Sequence, residues 1–298
     1  MPRIKAVIYG GCQVPGIGLC LKELAPQLDL TIYPLGSYPS EDARNRIAAT
    51  LPDYDLVFAN KMRKTQGMGN LAAEKLTVPA VLFPAIAFRG FHADFHYLRV
   101  AGKLLPSPSA RYQSMIAAAA FRLGLSQPDT VRLYNTYVFK LLGYDGLFAA
   151  EWEALTARHA GFDMTVPFSP GAPPFMHTFD HPAIAFMYDF ARQLADKAGL
   201  SPPDREPPPD LCDRLAVFTR LAVYPDFAEM IDVAPREFER DVRLAAAGQR
   251  SLPLRDYIAA AFKIYEAADP AYFEQDIVRD TAQRIADGWI GSSVTNML

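Results

Sequence analysis

The chain is poor in the residues that staple a fold or anchor it in a bilayer. It has 3 cysteines and 2 tryptophans among 298 residues. Cys12, Cys20 and Cys212 are odd in number and irregularly spaced, which argues against a disulfide framework. No apolar run approaches the roughly 18 residues of a membrane span. The longest candidate, around MIAAAAFRLGL, is broken by Arg122 and Gly124. The opening MPRIKAVIYGG carries no apolar stretch of signal-peptide length. Charge of one sign is scarce as well: the formal net charge is −3, so the whole-chain balance gives nucleic acid no support as a partner. These absences lead us to expect a cytoplasmic protein with reduced thiols and no transmembrane segment. What is present is core material, since 50% of the residues are hydrophobic and 21% charged.

The first 90 residues repeat one theme. KAVIYG (5–10), DLTIYPL (29–35), YDLVFAN (54–60) and VPAVLFPAI (78–86) read as buried strands. Between the first two, Ile17, Leu21, Leu24 and Leu28 share a helical face. Residues 40–51 read as a helix capped by Ser40, with Glu41 and Asp42 in its first turn, and 65–76 as another. Strand and helix alternating at this pitch mean βαβ units and an α/β fold with a parallel sheet.

Beyond residue 100 the text is mainly helical. One helix is expected over 107–124 with Ser107 or Ser109 as cap, one from Ser126 to about Leu142, and one from about 146 to 160. MTVPF (164–168) reads as a short fifth strand, and a helix opens near Pro182 and closes at Gly199. SPPDREPPPD (201–210), with five prolines in ten residues, is the clearest linker. The expected division is therefore an α/β domain over 1–200, the linker, and a helical region over 211–298 that covers the first part or stands as a small domain.

The stretch VIYGGCQVPG (7–16) carries the first chemistry. Ligands of open parallel sheets bind beyond the carboxyl ends of the strands. Cys12 follows the first strand and precedes a helix, where backbone N–H groups await partners. There a thiol is acidified and an oxyanion can be held. Gly10 and Gly11 allow backbone conformations that a side chain forbids, and Gln13 offers a donor. A buried structural cysteine, or a phosphate-binding turn, is the competing reading. GGCQVPG does not fit GxGxxG, which excludes a Rossmann dinucleotide site.

A nucleophile needs a base. HTFDHP places His177 and His181 after all candidate strands and just before a helix, with Asp180 between them. The competing reading is that these histidines order their loop. FRGFHADFHYLR holds His92 and His96 four apart, a spacing that suits a metal only on a helix, and no third ligand is evident. No metal is expected. Lys61, Arg63, Lys64 and Arg89 follow strand ends and are candidates to meet phosphates, if they are not plain solvated surface.

IYGGCQ resembles the GNCQ opening of the WcbI-type polysaccharide biosynthesis acetyltransferases. FPAIAFRGFHADFHYL and FMHTFDHPAIAFMYDFARQLA resemble two later segments of that family, in the same order, over roughly residues 5–200. The resemblance implies an SGNH-like parallel sheet flanked by helices. It implies binding of coenzyme A or acetyl-CoA as co-substrate, and transfer of an acyl group, such as acetyl, to a sugar of a surface or capsular polysaccharide. Cys12 occupies the nucleophile's place and His181 the catalytic histidine's, with His177 as alternative. Backbone at Gly11 to Gln13 would hold the oxyanion, and Lys61, Arg63, Lys64, Arg89 and His92 would face CoA. A homo-oligomer or capsule-enzyme partners also fit. Gly11 stands where the family has Asn, and Thr178 where the SGNH acid would be. An esterase or deacetylase, or a non-catalytic CoA- or glycan-binding protein, would use the same positions.

Overall fold

The computed structural model describes residues 3–35, 40–61, 71–72, 75–167, 172–243 and 250–291. In chain order the main elements are β1 (Ile4–Gly10), α1 (Val14–Leu24), β2 (Leu28–Pro34), α2 (Glu41–Thr50), β3 (Leu56–Lys61) and β4 (Ala80–Pro84), followed by a mainly helical run. That run comprises α3 (Met115–Arg122), α4 (Gln127–Arg132), α5 (Thr136–Leu141), α6 (Tyr144–Ala160), α7 (Ile184–Lys197), α8 (Pro225–Met230), α9 (Leu254–Glu266) and α10 (Asp276–Gly291). The protein is α/β, as expected: a parallel sheet flanked by helices, with a mainly helical C-terminal part. Two compact units form, and neither is continuous in sequence. The first is residues 1–87, 153–168 and 180–215; the second is 88–152, 169–179 and 216–298. These boundaries differ from the expected break at residue 200. The proline-rich segment belongs to the first unit, where Arg205 pairs with Glu23 (2.5 Å) and Asp204 with Arg192 (3.3 Å).

In the first unit the sheet has the order β2-β1-β3-β4, all parallel. Ala6–Tyr9 of β1 lie opposite Leu56–Ala59 of β3. The strands are apolar on both faces because both faces are covered. Val7, Tyr9, Val57 and Ala59 pack with Ile47 and Leu51, the latter just past α2. On the other face α1 packs on α7, and a Cβ on Gly16 would lie 2.7 Å from the Met187 side chain. Chain order reverses direction across the sheet at β1, so the β1/β3 carboxyl ends are the topological switch point.

Gly10 closes β1 at that point. Its φ is +154°, and a Cβ there would overlap the Asn60 Cβ and lie 2.9 Å from Val14 Cγ2. Gly11 differs: a Cβ there meets nothing within 4 Å, and its φ is not positive. Only Gly10 is therefore required by the turn.

The second unit is built around a buried carboxylate. Asp94 Oδ1 accepts from the Ile116 N–H in the first turn of α3 (2.9 Å) and from Tyr144 Oη (3.4 Å). Asp94 Oδ2 accepts from Tyr224 Oη (2.9 Å), and the Asp94 carbonyl takes the Met115 N–H (2.8 Å). Burial pushes this carboxyl up to about 6. Ser114 is the N-cap of α3, accepting from Ala117 N–H (3.0 Å).

Several expectations are corrected here. Ser107 and Ser109 cap nothing; their hydroxyls bond the Tyr112 carbonyl in a turn, so α3 begins eight residues later than expected. The helix expected from Ser126 to Leu142 is split, because Asn135 turns its side chain onto Val138 N–H (3.0 Å) and recaps the chain. Residues 164–167 form no strand, and α7 opens at Ile184 rather than Pro182. Most of the expected 65–76 helix lies outside the described residues. Ser40 and Ser126 cap α2 and α4 as read from sequence.

Two measurements test this account. Gly10→Ala is expected to cost roughly 2–4 kcal/mol in urea unfolding, from overlap and a forbidden φ, and Gly11→Ala less than about 0.5. Equal costs would refute the distinction. Asp94 has a folded-state pKa above its unfolded one, so its contribution is full below about pH 4 and is lost as pH rises through about 6. The wild type should lose up to roughly 3 kcal/mol over that interval relative to Asp94→Asn. Parallel stability–pH curves for the two proteins would exclude it.

Candidate active site

The site lies in the first unit, where β1 hands over to α1. Val14 N–H returns to the Gly11 carbonyl (3.2 Å), forming the turn that presents Cys12 to solvent. Gln13 is the N-cap of α1, yet its side chain does not cap the helix. It reaches away instead. Gln13 Oε1 accepts from Ile86 N–H (3.1 Å), and Nε2 donates to the Ile86 carbonyl and to the Asp180 carbonyl (2.9 Å). One buried amide thus joins the β1–α1 turn, the chain leaving β4, and the residue that precedes His181. Both amide hydrogens are engaged, so the Gln13 side chain is not the oxyanion donor that its position suggested; only its backbone N–H keeps that role as a candidate.

Side chains also satisfy the neighbouring backbone, as buried irregular chain demands. Arg158 Nη1 donates to the carbonyls of Ala85 (3.4 Å) and Ala87 (3.1 Å), on either side of Ile86. Asn60, buried at the end of β3, donates to the Phe83 carbonyl (3.4 Å). His181 is buried, in the extended pair His181–Pro182 just before α7. α7 receives its N-terminal acceptor from afar: Asp213 Oδ2 takes the Ile184 N–H (2.9 Å), while Oδ1 takes Leu215 N–H (3.1 Å). The segment following the prolines therefore fixes the helix that follows His181.

The remaining candidates divide by location. Cys20 is buried in α1, and burial pushes its thiol up to about 12, so it is chemically inert beside the exposed Cys12. Lys61 is exposed at the end of β3, its Nζ 5.9 Å from the centre of the Phe162 ring. Arg63 and Lys64 lie outside the described residues.

Arg89, His92, His177 and Thr178 belong to the second unit. Arg89 Nη2 donates to the Phe95 carbonyl (3.2 Å) and meets His96 Nε2, and the guanidinium lies 5.9 Å from the Phe179 ring centre. This is an internal strut rather than a phosphate clamp. His92 is 1% exposed between Phe91 and Phe95, and burial together with Arg236 holds it well below the usual histidine range. It therefore offers no surface to CoA. His96 is held down at about 4, by burial and by Arg89. Residues 90–96 are not helical, so the HxxxH spacing does not bring two rings onto one face; among the described residues no cluster of three could hold a metal. His177 is buried, and Thr178 Oγ1 donates to Tyr112 Oη (3.2 Å), a structural bond rather than an acid's role.

The family model for the polysaccharide biosynthesis enzyme WcbI matches residues 5–203, two thirds of the chain. The chain belongs to the WcbI family. Neither the curated proteins nor the solved structures compared with it gave a match. A role as a polysaccharide biosynthesis enzyme thus follows for this WcbI-family protein, and its matched span contains both Cys12 and His181. No helix among the described residues is long and apolar enough to cross a membrane.

Sequence reasoning missed Asn60, Asp94, Arg158 and Asp213. Asn60 had a signal, a polar residue closing an apolar strand at the expected switch point. The others act over separations of 22 to 130 residues and leave no local pattern. Gln13→Ala strands two carbonyls and an N–H, and is expected to cost about 2–4 kcal/mol in urea unfolding. A loss below about 0.5 kcal/mol would show that the clamp is dispensable. In the wild type, iodoacetamide should label Cys12 and Cys212 and leave Cys20 untouched until the protein unfolds; mass spectrometry reads this directly.

Proposed function

We propose that this WcbI-family enzyme is a CoA-dependent acyltransferase that places an acyl group, such as acetyl, on a sugar hydroxyl of a surface or capsular polysaccharide. The observation that carries the proposal is the Gln13 clamp. It bonds the residue after Cys12 to the residue before His181, so the two reactive side chains flank one hydrogen bond of 2.9 Å. Cys12 is exposed and His181 buried, the pairing expected of a nucleophile open to substrate and a base held by its surroundings.

In this reading Cys12 Sγ attacks the thioester carbonyl of acyl-CoA. The carbon–sulfur bond to CoA breaks, and the CoA thiolate takes the proton that His181 accepted from Cys12. The sugar hydroxyl then attacks the acyl-cysteine, giving its proton to His181 and restoring the Cys12 thiol. The oxyanion of each step faces the backbone N–H groups of Cys12 and Gln13 ahead of α1. Lys61, exposed at the same strand end, is the described cation suited to the CoA phosphates. Arg89 and His92 drop out of the CoA-binding set, being committed inside the second unit. The strand order, with a cysteine after the first strand and a His-Pro before α7, supports the SGNH-like part of the proposal.

The first test is thermal stability with CoA, acetyl-CoA and 3′-dephospho-CoA. At about 100 times Kd, binding to the native state adds roughly 2.7 kcal/mol, a shift of a few degrees or less for a chain of this size. Lys61→Ala should weaken the shift. Cys12→Ser and His181→Ala should keep the shift and lower acyl transfer by at least about 100-fold. Hydrolysis of sugar esters without any CoA dependence would replace the transferase by an esterase. Full CoA binding with no effect of either substitution on transfer would reduce Cys12 and His181 to structural residues.

A further inference from the structure

The second unit holds a cavity of about 450 Å³ that the reaction above does not use. Its floor is a short antiparallel ribbon. Arg220 and Glu239 exchange both backbone hydrogen bonds (2.9 Å each), as do Val223 and Arg236 (2.8 and 3.0 Å), and Phe238–Glu239 pair in turn with Ser251–Leu252. Tyr134, Tyr224, Phe238, Leu252 and Leu254 make the lining largely apolar, and its volume is that of a small-molecule site.

Arg236 lines the same cavity. Its Nε donates to the Leu221 carbonyl (3.1 Å), and Nη2 to the carbonyls of Met176 (2.8 Å), His177 (3.2 Å) and Leu221 (3.1 Å). Among the described residues Nη1 makes no hydrogen bond, which leaves one edge of a fixed guanidinium available. The charge around it is unbalanced. Arg220 and Arg250 both pair with Glu239 (3.1 and 3.2 Å), so that carboxylate is already divided between two arginines, while Arg236 pairs with carbonyls. Glu237 also lines the cavity, but it is exposed and accepts from Ser251 Oγ (2.6 Å), so solvent screens it.

We infer that this cavity is a binding site for a small amphiphilic anion, with its carboxylate or phosphate on Arg236 and its apolar body against Tyr134, Leu252 and Leu254. A guanidinium held by carbonyls on one side is pre-oriented for an oxyanion on the other. The same group supports the Met176–His177 backbone within the second unit.

Thermal shift of the full chain with sodium hexanoate, hexyl phosphate and 1-hexanol tests the inference. At least one anion should raise Tm by a degree or more with saturation, and hexanol should not. The anion that responds names the headgroup. Arg236→Lys should weaken the response at least tenfold in apparent Kd. Because that variant also loses backbone contacts, Leu254→Trp, which fills the cavity and keeps Arg236, is the second arm and should abolish the shift. The inference fails if neither anion acts at 10 mM, if hexanol acts equally, or if the response survives Leu254→Trp.

Discussion

A carboxamide with its two hydrogens and its oxygen all committed is an expensive thing to bury and a stable one once buried. The Gln13 side chain is that group here. Leaving any of its partners unmet costs about 1–3 kcal/mol each, so the turn after β1, the exit from β4 and the Asp180 carbonyl must stay in register together. The Gly10 backbone, the Arg158 bonds to Ala85 and Ala87, and the Asp213 contact with the start of α7 all serve that arrangement from outside. Cys12 and His181 inherit their positions from it. The chemistry assigned to them rests on a neutral hydrogen-bonded junction, which salt and modest pH changes leave alone.

The second unit solves its own problem with a charge. Asp94 satisfies the first turn of α3 and two tyrosine hydroxyls at once, surrounded by aromatic rings such as Phe139 stacked on Tyr224 and Phe238 stacked on Tyr257. One carboxylate replaces several separate caps, at the cost of desolvation. The two units thus differ in what holds them: a neutral amide in one, a buried acid in the other.

Much of this was legible in the sequence, and the limits have physical causes. The four parallel strands and the Ser40 and Ser126 caps were readable because each is a local pattern: apolar runs with turn residues, or a hydroxyl three residues before an N–H. The place of Cys12 followed from topology. Ser107 and Ser109 misled because a serine beside proline reads alike as a cap or a turn, and only the Tyr112 carbonyl decides. Arg89 and His92 read as CoA contacts because nothing local announces that Arg89 is committed to the Phe95 carbonyl and His92 enclosed between Phe91 and Phe95. Gln13 was noticed for its place, but the side chain's structural bonds left no signal, because its partners lie 73 and 167 residues away.

The interleaving of the two units bears on how the protein is made. Residues 88–152 have no complete core until 216–298 arrive, and the Asp94–Tyr224 bond closes a loop of 130 residues. At roughly 5–20 residues per second on a ribosome, Asp94 waits about 6–26 s for that partner. Through that interval its carboxylate is solvated and ionised, while the aromatic cluster intended to enclose it has no acceptor to organise around. High contact order of this kind slows folding and lengthens exposure of apolar surface. A fragment truncated from either end would leave one unit without part of its core.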